Sequence, residues 1–173
     1  MGYPLGNIFF RSLKEFKEAD TEKQKLENEY EQNKAAHINP KIIEVGERRT
    51  EAGVVAVMTA VAWIEQNLHT YAVHYFDVEA YKEHLGNLRL LTRQLLLPRL
   101  CQNKVIDEQH PAINALRELI AARNAIVHPK RNIMGDDPIR AIERTEKEGA
   151  RFLSVCRTLD KTVEGLKSLL ISK

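Results

Sequence analysis

The chain has 173 residues, of which 43% are hydrophobic and 29% charged, with eight glycines and six prolines. That length fits one domain with a sizeable core, and the composition excludes disordered, collagenous and disulfide-framework classes. Twenty-six Lys and Arg against 24 Asp and Glu leave a net charge of +2, far from the basic excess of a protein that coats nucleic acid, so any nucleic-acid site has to be local. Cys101 and Cys156 stand apart without a C-x-x-C pair, which argues against a zinc site or a disulfide scaffold and for a reducing, cytoplasmic setting. No basic run precedes the apolar residues of Met1 to Phe10, and Gly6 stands where a myristoylation signal needs Ser or Thr. With no stretch of about 18 apolar residues either, secretion and membrane association are not expected.

Prolines punctuate the chain. Asn39-Pro40, Asp137-Pro138 and the Asp107 to Pro111 stretch each place a polar residue ahead of a proline that opens a helical pattern, whereas Pro98 and Pro129 read as helix ends. The periodicity predicts helices over about Ser12 to Ala36, Pro40 to His74, Val78 to Leu97, Pro111 to Val127 and Pro138 to Leu170. Val54, Val55 and Val57 are β-branched, but they sit in a long turn-free stretch that favours a buried helix centred on Val54 to Val61 and Trp63. Lys14 to Lys34 carries only a thin apolar stripe (Phe16, Leu26, Tyr30) amid dense mixed charge. It reads either as a solvated helix laid along a bundle or as an arm reaching a second subunit. The expected fold is all-α: an up-and-down bundle of four main helices over residues 40–173, with residues 1–39 as a charged N-terminal helical extension of the same domain.

The most informative stretch is LRELIAARNAIVHPK, Leu116 to Lys130. Ile113, Leu116, Ile120 and Val127 recur at helical spacing, and the vacant place in that rhythm is filled by Arg123. A charge on a core face must be paired, or must face a cleft or an interface, because burying it alone is very costly. Glu51 and Glu65 are the carboxylates of the preceding long helix that could pair with it. Asn124 and His128, four apart, project from one helical face. His128 also lies at the helix C-terminus, where the negative end of the macrodipole suits a cationic imidazole. Lys130 and Arg131 follow at once and suit a phosphate-bearing ligand. Taken singly, a histidine at a helix end is commonly a surface residue or a cap, and an arginine on a core face is commonly an ion-pair partner. Their coincidence at this spacing is the signal.

Arg123-Asn124-Ala125-Ile126-Val127-His128 resembles the R-N-x-x-x-H motif of the HEPN superfamily, small all-helical domains in which the motif ends the penultimate long helix of a bundle. The resemblance covers roughly Pro40 to Lys173. It implies a metal-independent endoribonuclease in which two copies of the motif face each other across a dimer axis and form one composite site. Arg123 would serve phosphate and transition-state charge, Asn124 would orient His128 or the scissile phosphate, and His128 would do general acid/base work, with no cofactor. Family settings include RNA-cleaving toxins paired with an antitoxin, abortive infection and antiviral defence. Some members are instead non-catalytic scaffolds or nucleotide-binding modules. Members inhibited by a small nucleotidyltransferase antitoxin often carry a tyrosine two residues after the histidine; Lys130 stands there, so that particular regulation is not expected.

Two further features stand out. The Lys82 to Lys104 stretch carries Lys82, Arg89, Arg93, Arg99 and Lys104 against Glu83 alone. Lys82, Arg89 and Arg93 at seven and four spacing would share one helical face, either as a track for an RNA backbone or as a solvated face opposite Leu85, Leu88, Leu91 and Leu95. Metal-ligand spacing is thin: Glu65 and His69 are four apart, and only Asp107 to His110 has a carboxylate-x-x-His spacing. His69, His74 and His84 read as partly exposed helix residues. No phosphate-cradling glycine motif occurs.

Overall fold

A second long helix, nearly the length of the bundle, organises the fold, and its sequence explains why. Ala52, Gly53, Ala56, Val57, Ala60, Ile64 and Leu68 are buried along it, and the small residues among them let neighbouring helices approach closely from more than one side. In the computed structural model, which describes residues 4–33, 39–128 and 138–171, the elements are α1 (Pro4–Asn33), α2 (Pro40–Ala72), α3 (Val78–His84), α4 (Leu90–Gln102), α5 (Pro111–Val127) and α6 (Pro138–Leu170). There is no strand among the described residues. α2 touches α1, α4, α5 and α6, and α5 packs on α6. No helix among the described residues is long and apolar enough to cross a membrane.

Start signals are local and chemical. Asn39 Oδ1 accepts from the Lys41 amide at 3.0 Å, with Pro40 at the first helical position of α2. Asp77 caps α3 by accepting from the Glu79 and Ala80 amides. For α5 the cap is His110, whose Nδ1 accepts from Ala112 at 3.2 Å ahead of Pro111.

The first helix departs from expectation. It begins at Pro4, not near Ser12, and its first half buries Phe9, Ser12, Leu13, Phe16, Ala19 and Asp20, a full helical stripe against α2. Beyond Asp20 no described side chain of α1 is buried, so the thin stripe belongs to the second half only. The expected end near Ala36 lies outside the described residues. Phe9 and Phe10 pack on Trp63 at ring distances of 5.5 and 5.3 Å, which places that tryptophan under α1, half-buried rather than at the core centre.

The single helix expected over Val78 to Leu97 is two. α3 closes at Gly86, whose amide donates to the Tyr81 carbonyl at 2.7 Å and where a Cβ would stand only 3.0 Å from the Lys82 carbonyl oxygen. α4 then runs through Pro98 instead of ending there: proline removes one backbone bond, and its ring is fully buried in the core. The helix stops at Asn103, in the left-handed region at φ 53°. Just past that stop, Lys104 Nζ donates to the Leu169 carbonyl at 3.0 Å and caps α6.

Polar cross-links are concentrated where α1, α2 and α6 meet. The buried Asp20 carboxylate accepts from Arg157 Nε and Nη2 at 2.7 and 2.9 Å and from Arg49 Nη1 at 3.1 Å. The Arg157 hydrogen bonds, aided by Arg49 and opposed by burial, hold its carboxyl below the ordinary 3.8. Nearby, Gly53 is required by space: a Cβ there would stand 2.8 Å from Phe152 Cζ and 3.1 Å from Phe16 Cδ2. Both cysteines are free. Burial pushes the Cys156 thiol up to about 12 and raises Cys101 as well, which keeps them protonated and unreactive.

Two outcomes follow for stability. Gly53→Ala should cost about 1–3 kcal/mol in denaturant unfolding through overpacking, with part recovered when Phe152→Leu is added. Because the folded state depresses the Asp20 pKa, its contribution is full above the unfolded value and is lost as pH falls through and below about 4. Asp20→Asn should therefore destabilise by about 2 kcal/mol at neutral pH and flatten the acid limb of the stability curve measured by urea titration.

Candidate functional site

α5 carries the residues singled out by the sequence, and its buried stripe sets their direction. Ala112, Ile113, Leu116, Leu119 and Ala122 are buried, Ile120 and Ile126 partly so, and Val127 is exposed. The core face is thus rotated from the expected Ile113, Leu116, Ile120, Val127 rhythm. Leu119 and Ala122 fill the place that Arg123 was expected to interrupt. Arg123 lies beside the core stripe and is only half-buried, so its charge keeps contact with water and needs no buried counter-ion. Its guanidinium Nη1 donates to Asn124 Oδ1 at 3.3 Å. Neither expected carboxylate pairs with it: Glu51 is exposed, and Glu65 accepts from Arg93 Nη2 at 3.0 Å.

The helix ends at His128, as the following proline requires. The His128 amide donates to the Asn124 carbonyl at 2.8 Å, and its backbone leaves the helical region at φ −124°, ψ 66°. His128 and Asn124 are both exposed.

Two grooves flank this end of α5. One, of about 680 Å³ between α2, α5 and α6, is lined by Val54, Asn124, Ile126, His128, Glu148 and Phe152 among others. The other, of about 530 Å³ between α2, α4 and α5, is lined by Val61, Glu65, Arg89, Arg117, Ile120, Arg123 and Asn124 among others. Within one chain, Arg123 and Asn124 are brought together, whereas His128 lines the other groove, which Arg123 does not. Asn124 lines both grooves and forms the crest between them. Lys130 and Arg131 lie outside the described residues.

The arginines upstream separate. The break at Gly86 destroys the continuous helical face expected for Lys82, Arg89 and Arg93. Arg93 is nearly buried and holds both Glu65 and the Tyr81 hydroxyl, the latter at 3.2 Å, so its guanidinium is engaged inside the fold. Arg89, just ahead of α4, is exposed and makes no side-chain capping bond. Two lining residues were not anticipated, Glu148 and Arg117. Arg117 stands seven residues before Asn124 with Ile120 between them, so the stripe Arg117, Ile120, Arg123/Asn124 was readable as a mixed polar and apolar face. Glu148 comes from α6, and no local pattern links it to the motif.

The residues with carboxylate–histidine spacing are used as helix and loop caps. Asp107 Oδ1 accepts from the Gln109 amide at 2.9 Å, and His110 caps α5. His69 rests against the Tyr81 ring at 5.1 Å. Among the described residues no group of three or more His, Cys, Asp and Glu is placed to hold a metal ion. Comparison with protein-family models, with curated proteins and with solved structures finds no match.

The contrast between Arg93 of α4 and Arg89 just ahead of it is measurable. Arg93→Ala should destabilise the fold by about 1–3 kcal/mol, because it strands Glu65 and the Tyr81 hydroxyl, while Arg89→Ala should stay within about 0.5 kcal/mol, both read by chemical denaturation.

Proposed function

We propose that this chain is a metal-independent endoribonuclease of the HEPN type, built as a bundle of four main helices with α1 alongside and acting as a homodimer in the cytoplasm. The observation that carries the reading is the placement of Arg123, Asn124 and His128 on the exposed last turns of α5, with Arg123 free of any carboxylate partner among the described residues and held only by Asn124. RNA brings its own nucleophile, so the protein has to supply a proton acceptor, a proton donor, positive charge and alignment. The 2′-oxygen attacks the adjacent phosphorus as its proton passes to a base. The bond from phosphorus to the 5′-oxygen breaks, that oxygen takes up a proton, and a 2′,3′-cyclic phosphate and a 5′-hydroxyl result. His128 is assigned the proton transfers, Arg123 the charge on the crowded phosphorane, and Asn124 the positioning of Arg123.

Because His128 lines the other groove, the reading pairs Arg123 of one copy with His128 of a second copy across a two-fold axis. An RNA-cleaving toxin or antiviral effector, held in check by a partner protein, is the setting proposed. The same separation favours, as a second reading, a non-catalytic helical scaffold or RNA-binding module.

Purified protein in EDTA, incubated with labelled RNA, should cut it and leave cyclic-phosphate ends. Correctly folded His128→Ala and Arg123→Ala should each lose roughly a hundredfold or more, and light scattering should report a dimer. A monomer with no cleavage across varied RNAs, or equal cleavage by all three proteins, would sink the catalytic reading and leave the binding module.

A further inference from the structure

The groove between α2, α4 and α5 gathers arginines without a close carboxylate partner into one space. Arg48, Arg49, Arg151 and Arg157 are each paired with a carboxylate, as salt-bridged surface and core arginines are. In this groove, Arg89 and Arg123 face the same space with no carboxylate partner among the described residues. Arg117, also lining it, donates to the Glu108 carbonyl at 2.8 Å and to Asn114 Oδ1 at 2.6 Å, and its nearest carboxylate oxygen, on Glu108, is at 3.7 Å. The one acidic residue in the lining, Glu65, is already neutralised by Arg93 at 3.0 Å. The result is a pocket of positive charge in a chain whose net charge is only +2. Its floor is apolar, made by Val61, Leu90, Leu91 and Ile120.

Guanidinium groups over an apolar floor match a ligand that alternates anionic and flat apolar parts. A phosphodiester oxygen pair takes the fork of an arginine, and a base can cover aliphatic surface. We propose that this groove seats the single-stranded RNA segment next to the bond to be cut. Arg89 and Arg117 hold backbone phosphates, and the strand runs past Arg123 and Asn124 toward the His128 of the second copy. Assignment of the strand to RNA rests on the function proposed above; the anionic character of the ligand rests on the groove's own residues. Arg89 and Arg117 are binding residues in this arrangement and stay clear of the reacting phosphate.

The test measures binding separately from cleavage. In the His128→Ala background, a short fluorescein-labelled single-stranded RNA of mixed sequence is titrated by anisotropy at several salt concentrations. Arg89→Ala should weaken binding about tenfold and lower the salt slope by about 0.7. Arg99→Ala removes an equal charge from the same helix, outside this groove, and should change neither. Equal losses in the two variants, no loss in Arg89→Ala, or equal displacement of the RNA by a polyglutamate peptide would overturn the proposal. A protein that binds RNA through Arg89 but never cleaves it keeps the groove and loses the nuclease. One that cleaves through His128 and ignores Arg89 does the reverse.

Discussion

The contact between Gly53 and Phe152 is the constraint on which the rest of the arrangement turns. A ring carbon of α6 stands 2.8 Å from where a side chain at position 53 of α2 would begin, so the two helices approach at a point that has no ready room for a methyl group. Phe16 of α1 crowds the same glycine, and the Asp20 carboxylate, clasped by Arg49 of α2 and Arg157 of α6, fixes the rotation of all three helices about that point. Packing sets the distance, and directional hydrogen bonds set the register. Phe152 then walls the groove onto which His128 opens, so the glycine contact also shapes the surface at the end of α5.

Much of the fold was legible because the signals are local. Asn39-Pro40 caps α2 where the sequence places it, and α5 spans Pro111–Val127 as its flanking prolines indicate. What escaped were features whose meaning depends on distant partners. Pro98 reads as a helix end until its ring is seen to be buried in the core, where lost hydrogen bonding is offset by packing. The stop at Gly86 depends on its amide meeting the Tyr81 carbonyl, which the apolar pattern of Val78 to Leu97 does not show. Phe9 and Leu13 look like isolated apolar residues without α2 beside them.

The candidate site was legible in composition and less so in orientation. Arg123, Asn124 and His128 stand out by residue type and spacing, and all three lie at the accessible end of one helix. Their direction depends on which apolar residues of α5 win the core. Alanine carries little weight in a hydrophobic rhythm, yet Ala112 and Ala122 are buried while the larger Val127 is not. Close helix approach rewards small side chains, so the core stripe lies to one side of the one drawn by bulk alone. The spacing of five residues divides Arg123 from His128 around the helix, and the rotation decides which groove each one meets, which no reading of α5 in isolation contains.

The base of α5 is held by a tight set of bonds. His110 caps it, Arg117 reaches back to the Glu108 carbonyl, and Lys104 ties the preceding loop to the last turn of α6. A helix of 17 residues is about 25 Å long, so α5 behaves as a rigid pointer pivoted at that base. A tilt of a few degrees there swings its tip by an ångström or more, which is the tolerance on which aligned proton transfer depends. The aim of the exposed end is therefore set by hydrogen bonds near the opposite end of the helix together with the packing along its buried stripe.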